Sequence, residues 1–266
     1  FEFKRRNVGG AMLEIKNISK AYNRQGKDFF AVKDVNLNIL DGDFVHIIGR
    51  SGSGKSTLLN GILGEKIAIA TSKPQTTRNT IRGIYTTGDC QMVFIDTPGI
   101  HKPKTKLGNF MTDSALNTFK EVDLVLFLVD DSLSQGPGDK YIVEMLKNIN
   151  TPKFLVINKM DKINPEDYEK IYNEYEQTGI FDEIFPVSAL EQKNIDILLE
   201  SIEKFMPEGP QYFPSDMITD HPERFIVSEI LREKVLMFLE DEVPHGVAIE
   251  IESFQEEERV TRISAV

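Results

Sequence analysis

"FVHIIGRSGSGKSTLLN", Phe44 to Asn60, decides the fold. The apolar run Phe44–Gly49 reads as a short buried strand. Leu58, Leu59, Ile62 and Leu63 then recur at helical spacing. Between them stands Gly49-x4-Gly54-Lys55-Ser56, a complete phosphate loop in the strand–loop–helix context that such a loop requires. Glycines let the successive N–H groups of Gly49, Ser51, Gly52, Ser53 and Gly54 turn inward toward phosphate oxygens. Lys55 is placed to reach the β- and γ-phosphates. Ser56 is a ligand for Mg²⁺, and Thr57 continues the phosphate-facing turn.

Downstream of the loop, strands and helices alternate. The strands are "MVFID" (Met92–Asp96), "DLVLFLVD" (Asp123–Asp130), "KFLVINK" (Lys153–Lys159) and "EIFPVSA" (Glu183–Ala189). Helices are expected over 109–120, 140–148, 165–177 and 194–205. Near-continuous apolar strands separated by helices predict an α/β fold with a parallel sheet. Upstream, "MLEIKNISKAY" (Met12–Tyr22) and "FFAVKDVNLNIL" (Phe29–Leu40) read as strands of an antiparallel hairpin. The proline-rich "PEGPQYFPSDMITDHP" (Pro207–Pro222) reads as a linker. Beyond it, Ile226, Ile230, Leu231, Val235, Phe238 and Leu239 mark one face of a helix. The strand-like pieces "VAIEIESF" (Val247–Phe254) and "RVTRISAV" (Arg259–Val266) follow.

Three further motifs stand at strand ends. "DTPG" offers Asp96 to hold Mg²⁺ through water, and the Gly99 N–H to sense a γ-phosphate at close range. "NKMD" offers Asp161, whose carboxylate accepts from guanine N1–H and the 2-amino group, a pair that adenine lacks. Asn158 is in reach of the purine's major-groove edge, and the Lys159 stem can cover the ring. In "SAL", the backbone N–H groups of Ser188, Ala189 and Leu190 meet guanine O6. Within "KPQTTRN" (Lys73–Asn79), a threonine that closes over Mg²⁺ and γ-phosphate orders the segment in the triphosphate state; Thr77 is favoured, with Thr76 the alternative. The catalytic set is therefore Lys55, Thr77, Asp96 and Gly99, and the metal set is Ser56, Thr77 and Asp96.

Composition narrows the classes. The chain has 266 residues and a net charge of −11, which argues against broad electrostatic binding to nucleic acid or anionic lipid. A single cysteine, Cys90, excludes an internal disulfide framework. The longest apolar runs are too short to span a membrane. The charged start "FEFKRRNVGG" has no apolar stretch behind it, unlike a signal peptide. The four histidines, His46, His101, His221 and His245, share no metal-ligand spacing.

From "LLNGILGEKIAI" through "KPQTTRNTIRGI", "FIDTPGIHKPKTKLGNFM", "NKMD", "VSAL" and "EDEVPHGVAIEIESF", the chain resembles the Era family of bacterial ribosome-assembly GTPases. The resemblance implies a Ras-like P-loop GTPase domain over residues 44–206, with GTP or GDP and Mg²⁺ as cofactors. It implies hydrolysis of GTP and a role in small-subunit maturation. The linker 207–222 would lead to an α+β KH-type piece at 223–266, whose Gly-x-x-Gly clamp for RNA would fall beyond Val266. Weak binding to small-subunit ribosomal RNA and the 30S subunit is expected on that account. Members of the family carry Gly-Arg-Pro-Asn-Val-Gly-Lys-Ser, whose asparagine helps to hold a potassium ion. Here Gly52 takes the asparagine's place. Ile100 follows "DTPG", where many GTPases place a water-orienting glutamine.

"MLEIKNISKAYNRQGKDFFAVKDVNLNILDGDFVHIIGRSGSGKSTLLN" is instead similar to the start of an ABC transporter ATP-binding subunit, in which an aromatic residue at the position of Tyr22 stacks on adenine. No signature "LSGGQ" accompanies it. The two patterns join within Gly54–Asn60, and residues 1–43 form the ABC-like β extension. All base-reading and Mg²⁺-sensing motifs lie on the Era-like side. The expectation is a monomeric, cytoplasmic, bacterial GTPase, with any peripheral membrane contact inherited from the ABC-like end.

Overall fold

The computed structural model describes residues 13–24, 27–39, 44–70, 77, 79–88, 90–99, 119, 122–238, 247–257 and 260–266, with backbone only for 13–39. The chain divides into two compact units, 1–42 with 208–212, and 43–207 with 213–266.

In the first unit, β1 (Leu13–Arg24) pairs antiparallel with β2 (Lys27–Ile39), as the two strand patterns predict. Tyr22 lies opposite Phe29, and the register shifts between Ile15 and Ala21.

The second unit holds a six-stranded sheet. Its strands are β3 (Phe44–Gly49), β4 (Ile81–Thr87), β5 (Cys90–Asp96), β6 (Leu124–Val129), β7 (Lys153–Ile157) and β8 (Glu183–Pro186), in the order β4-β5-β3-β6-β7-β8. Five strands are parallel. The sixth, β4, runs antiparallel to β5 and was not among the strands expected. The sheet is thus mixed rather than wholly parallel. The helices are α1 (Lys55–Leu63), α2 (Pro137–Leu146), α3 (Pro165–Glu176), α4 (Ile195–Phe205) and α5 (Glu223–Phe238). The expected helix 109–120 falls outside the described residues except for Phe119, which is buried.

The strands are apolar along their whole length because both faces are covered. Along β6, Leu124, Leu126 and Leu128 enter one core with Leu58, Leu59 and Ile62 of α1 and Leu198 and Ile202 of α4. Val125, Phe127 and Val129 enter the other, with Ile142 and Leu146 of α2 and Ile171 of α3. Alternation with period two thus serves two cores from one strand. Each large apolar side chain so buried stabilises the fold by roughly 1.5–3 kcal/mol before entropy is counted. Among the described residues, no helix is long and apolar enough to cross a membrane.

The C-terminal helix corrects a sequence expectation. The residues of α5 that are most buried are Glu229, Arg232, Glu233 and Leu236. Phe238, assigned to the apolar face, is 84% exposed, and Leu239 lies outside the described residues. Two ion pairs explain the change of face. Arg232 grips Glu229 within the helix at 2.6 Å, and Glu233 reaches Lys66 after α1. Ile226 and Phe225 still pack on the α1–α4 core. The two strand-like pieces form β9 (Ile251–Glu256) and β10 (Thr261–Ala265), which pair antiparallel.

Candidate nucleotide-binding site

The C-terminal ends of β3, β5, β7 and β8 carry Gly49, Asp96, Asn158 and Ser188 to one side of the sheet. In open α/β folds this is where ligands bind. The loop closes with Ser53 N–H on the Arg50 carbonyl at 3.3 Å, and α1 begins from Gly54, which is in the left-handed region at φ 96°. This helix has neither a side-chain cap nor an acidic residue in its first turn. Its leading N–H groups therefore present the positive end of the helix to the loop, the arrangement that binds phosphate. Thr57 lies half-buried in this turn.

Lys55 is 6% exposed, and its Nζ donates to the carbonyls of Gly49 (3.2 Å) and Arg50 (3.1 Å). Burial pushes its pKa down, and the nearby Asp96 opposes that. Ser56 Oγ donates to Asp96 Oδ2 at 2.6 Å. It also lies 3.1 Å from Thr77 Oγ1. Because Ser56 has one proton and gives it to Asp96, Thr77 is the donor of that second bond. Ser56 thus touches both other members of the expected metal set. Thr76 lies outside the described residues.

Asp96 is fully buried, which raises its pKa against the pull of Lys55 and Ser56. Among the described residues, its Oδ1 is buried with no hydrogen-bond partner, as is Ser53 Oγ. A buried carboxylate oxygen without a partner is costly unless something cationic meets it. Two hydroxyls and that carboxylate are hard oxygen donors, which suits Mg²⁺. Gly99 belongs to the same wall. A Cβ there would sit 2.7 Å from the Ser51 N, so only glycine lets the "DTPG" backbone come so close to the loop.

At the base end, Asn158 is 2% exposed. Its Nδ2 donates to the Ser53 carbonyl at 2.9 Å, and its Oδ1 accepts from Ala189 N–H at 3.0 Å. One amide therefore ties the phosphate loop, "NKMD" and "SAL" together. Each end of the amide keeps a second hydrogen-bonding position, one N–H and one lone pair, so these contacts leave the expected reach toward the purine edge open. Asp161 is exposed and accepts from Ser188 Oγ at 2.6 Å, a bond that holds its pKa below the usual carboxylate value. Ser188, itself fully buried, thereby aims the carboxylate. Lys159 adopts the left-handed region at φ 63°. Its Nζ lies 3.3 Å from Asp131 and 3.7 Å from Asp130. Leu190 is 73% exposed, and only its backbone could serve a ligand.

Three supports were not expected from sequence. Asp130 and Asp131 steady Lys159. Arg50, inside the loop, pairs with Asp139 of α2 at 2.8 Å. Asn60 Oδ1 accepts from Ile67 and Ala68 N–H, pinning the turn after α1. Each contact joins segments through side chains that carry no spacing signature.

The comparisons with known proteins agree with this geometry. Residues 44–159 match the family model described as 50S ribosome-binding GTPase. GTPase Era of Alkaliphilus metalliredigens is 60% identical over 207 residues, covering 78% of this chain and 70% of that protein. GTPase Era of Clostridioides difficile is 54% identical over 226 residues, covering 84% and 76%. The chain belongs to the Era family of GTPases. The fold agrees as well. A crystal structure of Era with MgGDPNP and nucleotides 1506–1542 of 16S ribosomal RNA superposes with a TM-score of 0.76 at 38% identity, covering 84% of this chain and 77% of that one. A variant of Aquifex aeolicus Era bound to GDP·AlF₄⁻ gives 0.75 at the same identity and coverage. The phosphate loop of this Era-family chain belongs to a P-loop GTP hydrolase, whatever its upstream residues resemble.

Proposed function

We propose that this chain binds GTP with Mg²⁺, hydrolyses it slowly, and acts as a monomeric cytoplasmic factor on small-subunit ribosomal RNA. The single observation that carries the nucleotide reading is the Asn158 amide. It joins a phosphate cradle to a carboxylate placed for guanine, so that both ends of one nucleotide are addressed by one rigid unit. The RNA reading rests on the relative crystallised with 16S ribosomal RNA.

In this reading Lys55 and the loop N–H groups neutralise the β- and γ-phosphates. Ser56, Thr77 and Asp96 would hold Mg²⁺, which would supply neutralisation of phosphate charge when bound. The Gly99 N–H contacts the γ-phosphate. Water attacks the γ-phosphorus, and GDP leaves. Catalysis by such a site is positioning and electrostatics, with little covalent chemistry. A titration with guanine and adenine nucleotides, followed by a phosphate-release assay, tests it. Tight guanine binding with measurable GTP-dependent phosphate release is expected; equal binding of ATP would sink the reading.

One prediction concerns rate. Gly52 carries no side-chain oxygen where related loops have asparagine, so the residues here do not fit a potassium ion. Hydrolysis should respond little to replacing sodium with potassium. Losing one such electrostatic contact costs roughly 2.7–4 kcal/mol in well-studied sites, so a deficit on the order of 10²-fold in turnover is expected. Gly52 has φ 88° with open space around it. Asparagine tolerates that region better than most residues, so Gly52→Asn should fold and gain potassium stimulation. Steady-state hydrolysis in the two salts decides. Strong potassium stimulation of the unaltered chain would refute the assignment.

A further inference from the structure

From Gly49 to Gly54 the phosphate loop reads "GRSGSG", in which only Arg50 carries a long side chain. Gly49, Gly52 and Gly54 have φ of 152°, 88° and 96°. Glycines lose more backbone freedom on ordering than any other residue, so such a loop gains from an anchor outside itself. The Arg50 carbonyl is where the loop takes its shape. It accepts from Ser53 N–H at 3.3 Å and from Lys55 Nζ at 3.1 Å.

The Arg50 side chain leaves the loop and lies along the first turn of α2. Its Nη1 donates to Asp139 Oδ2 at 2.8 Å, and the same oxygen accepts the Gly136 N–H at 3.2 Å. Gly136 and Gly138 make the room. A Cβ at Gly136 would sit 2.9 Å from Arg50 Nη1, and one at Gly138 would sit 3.0 Å from Arg50 Cδ. The anchor itself is firmly held. Asp139 is buried, as are Ile142 and Leu146 further along α2. Just ahead of the helix, the Gln135 N–H donates to Glu174 of α3 at 3.1 Å.

We propose that Arg50 is a positioning residue for phosphate binding: its bond to Asp139 fixes the carbonyl that holds Lys55. Residues 136–139, which carry no nucleotide motif, thereby set affinity for the phosphate end and leave base choice alone. The proposal rests on the role given to the phosphate loop above. A loop ordered before its ligand arrives loses less binding free energy to ordering. Base choice rests instead with Asp161, which Ser188 holds at 2.6 Å.

The test uses the full chain and the variants Arg50→Met, Asp139→Asn, both together, and Gly138→Ala. Methionine keeps an unbranched stem in the groove without the charge. Alanine at 138 crowds that stem yet favours the helix, because glycine within a helix is destabilising. Competition titrations compare GDP with IDP, which lacks the 2-amino group. Every variant should bind GDP about tenfold more weakly, with the GDP-to-IDP affinity ratio within about twofold of that of the unaltered chain. The double variant should lose no more than the weaker single one, since both changes remove one contact. Gly138→Ala should do so without a fall in melting temperature, which a merely structural loosening would cause. Without nucleotide, amide exchange at Ser53 should accelerate in Arg50→Met while that at Ala189 stays unchanged. Unchanged GDP affinity in Arg50→Met or Gly138→Ala would overturn the proposal, as would additive losses in the double variant or a shifted GDP-to-IDP ratio. If the unaltered chain bound neither nucleotide, the nucleotide-binding role itself would fail, and the proposal with it.

Discussion

Asp161→Asn should convert this chain from a guanine binder to a xanthine binder. In the proposed reading the carboxylate accepts two hydrogen bonds from guanine, each charge-assisted and worth roughly 1.5–3 kcal/mol. Sites built to pair with a polar group reject partners lacking it by factors on the order of 10⁴ in favourable cases. Ser188 Oγ holds Asp161 Oδ1 at 2.6 Å and lowers its pKa, so the ionised acceptor is present throughout the neutral range. In the variant, Ser188 would keep the amide oxygen and leave the amide nitrogen facing the base. That donor suits the C2 carbonyl of xanthine and opposes the 2-amino group of guanine. Competition titrations with GTP, XTP and ATP on both chains measure the exchange of preference. A variant that still prefers GTP to XTP would show that Asp161 does not read the base.

The second large effect is on stability in acid. His46 lies in the central strand β3, 1% exposed, with its ring centroid 5.2 Å from that of Phe119. Neither ring nitrogen has a hydrogen-bond partner among the described residues. Burial lowers its pKa from 6.5 to about 4. The unfolded chain therefore binds a proton that the folded chain refuses in this window. Stability is full above the unfolded value and is lost as pH falls from 6.5 toward 4. That gap in pKa corresponds to roughly 3 kcal/mol. His46→Val keeps a β-branched residue in the strand and removes the titration. Urea unfolding at several values from pH 7 to pH 4 should show the unaltered chain losing about 3 kcal/mol more than the variant over that interval. Parallel pH profiles would mean that His46 is not buried in its neutral form.

Much of this site was legible because its parts are local. The phosphate loop, "DTPG", "NKMD" and "SAL" each lie within a few residues, at the end of an apolar strand, and the parallel sheet brings such ends together. What stayed hidden depends on distance or on mixed patterns. In β4, Ile81 and Ile84 are buried but Arg82 and Gly83 interrupt them, so period two never emerges. Its partner β5 supplies the order that its own residues lack. Arg50 and Asp139 are 89 residues apart, and nothing in either segment announces the other. The face of α5 was misjudged for a related reason. Periodicity finds apolar stripes, whereas this helix docks through a buried carboxylate that finds its partners on another segment.

The contacts along β4 bear on solubility. β4 is the outermost strand on its side of the sheet, seven residues long, and its free backbone rim would otherwise invite pairing with another chain. Residues 213–221 cover that rim: Ile218 takes the Ile84 N–H, Thr219 takes the Arg82 carbonyl, and Phe213 exchanges two bonds with Gln91 of β5 next door. The opposite rim, β8, has only four residues and needs less cover. A fragment ending at Met206 would keep every nucleotide-contacting residue yet bare an unprotected sheet rim. It should bind nucleotide when dilute and self-associate as its concentration rises, which light scattering against the full chain would reveal.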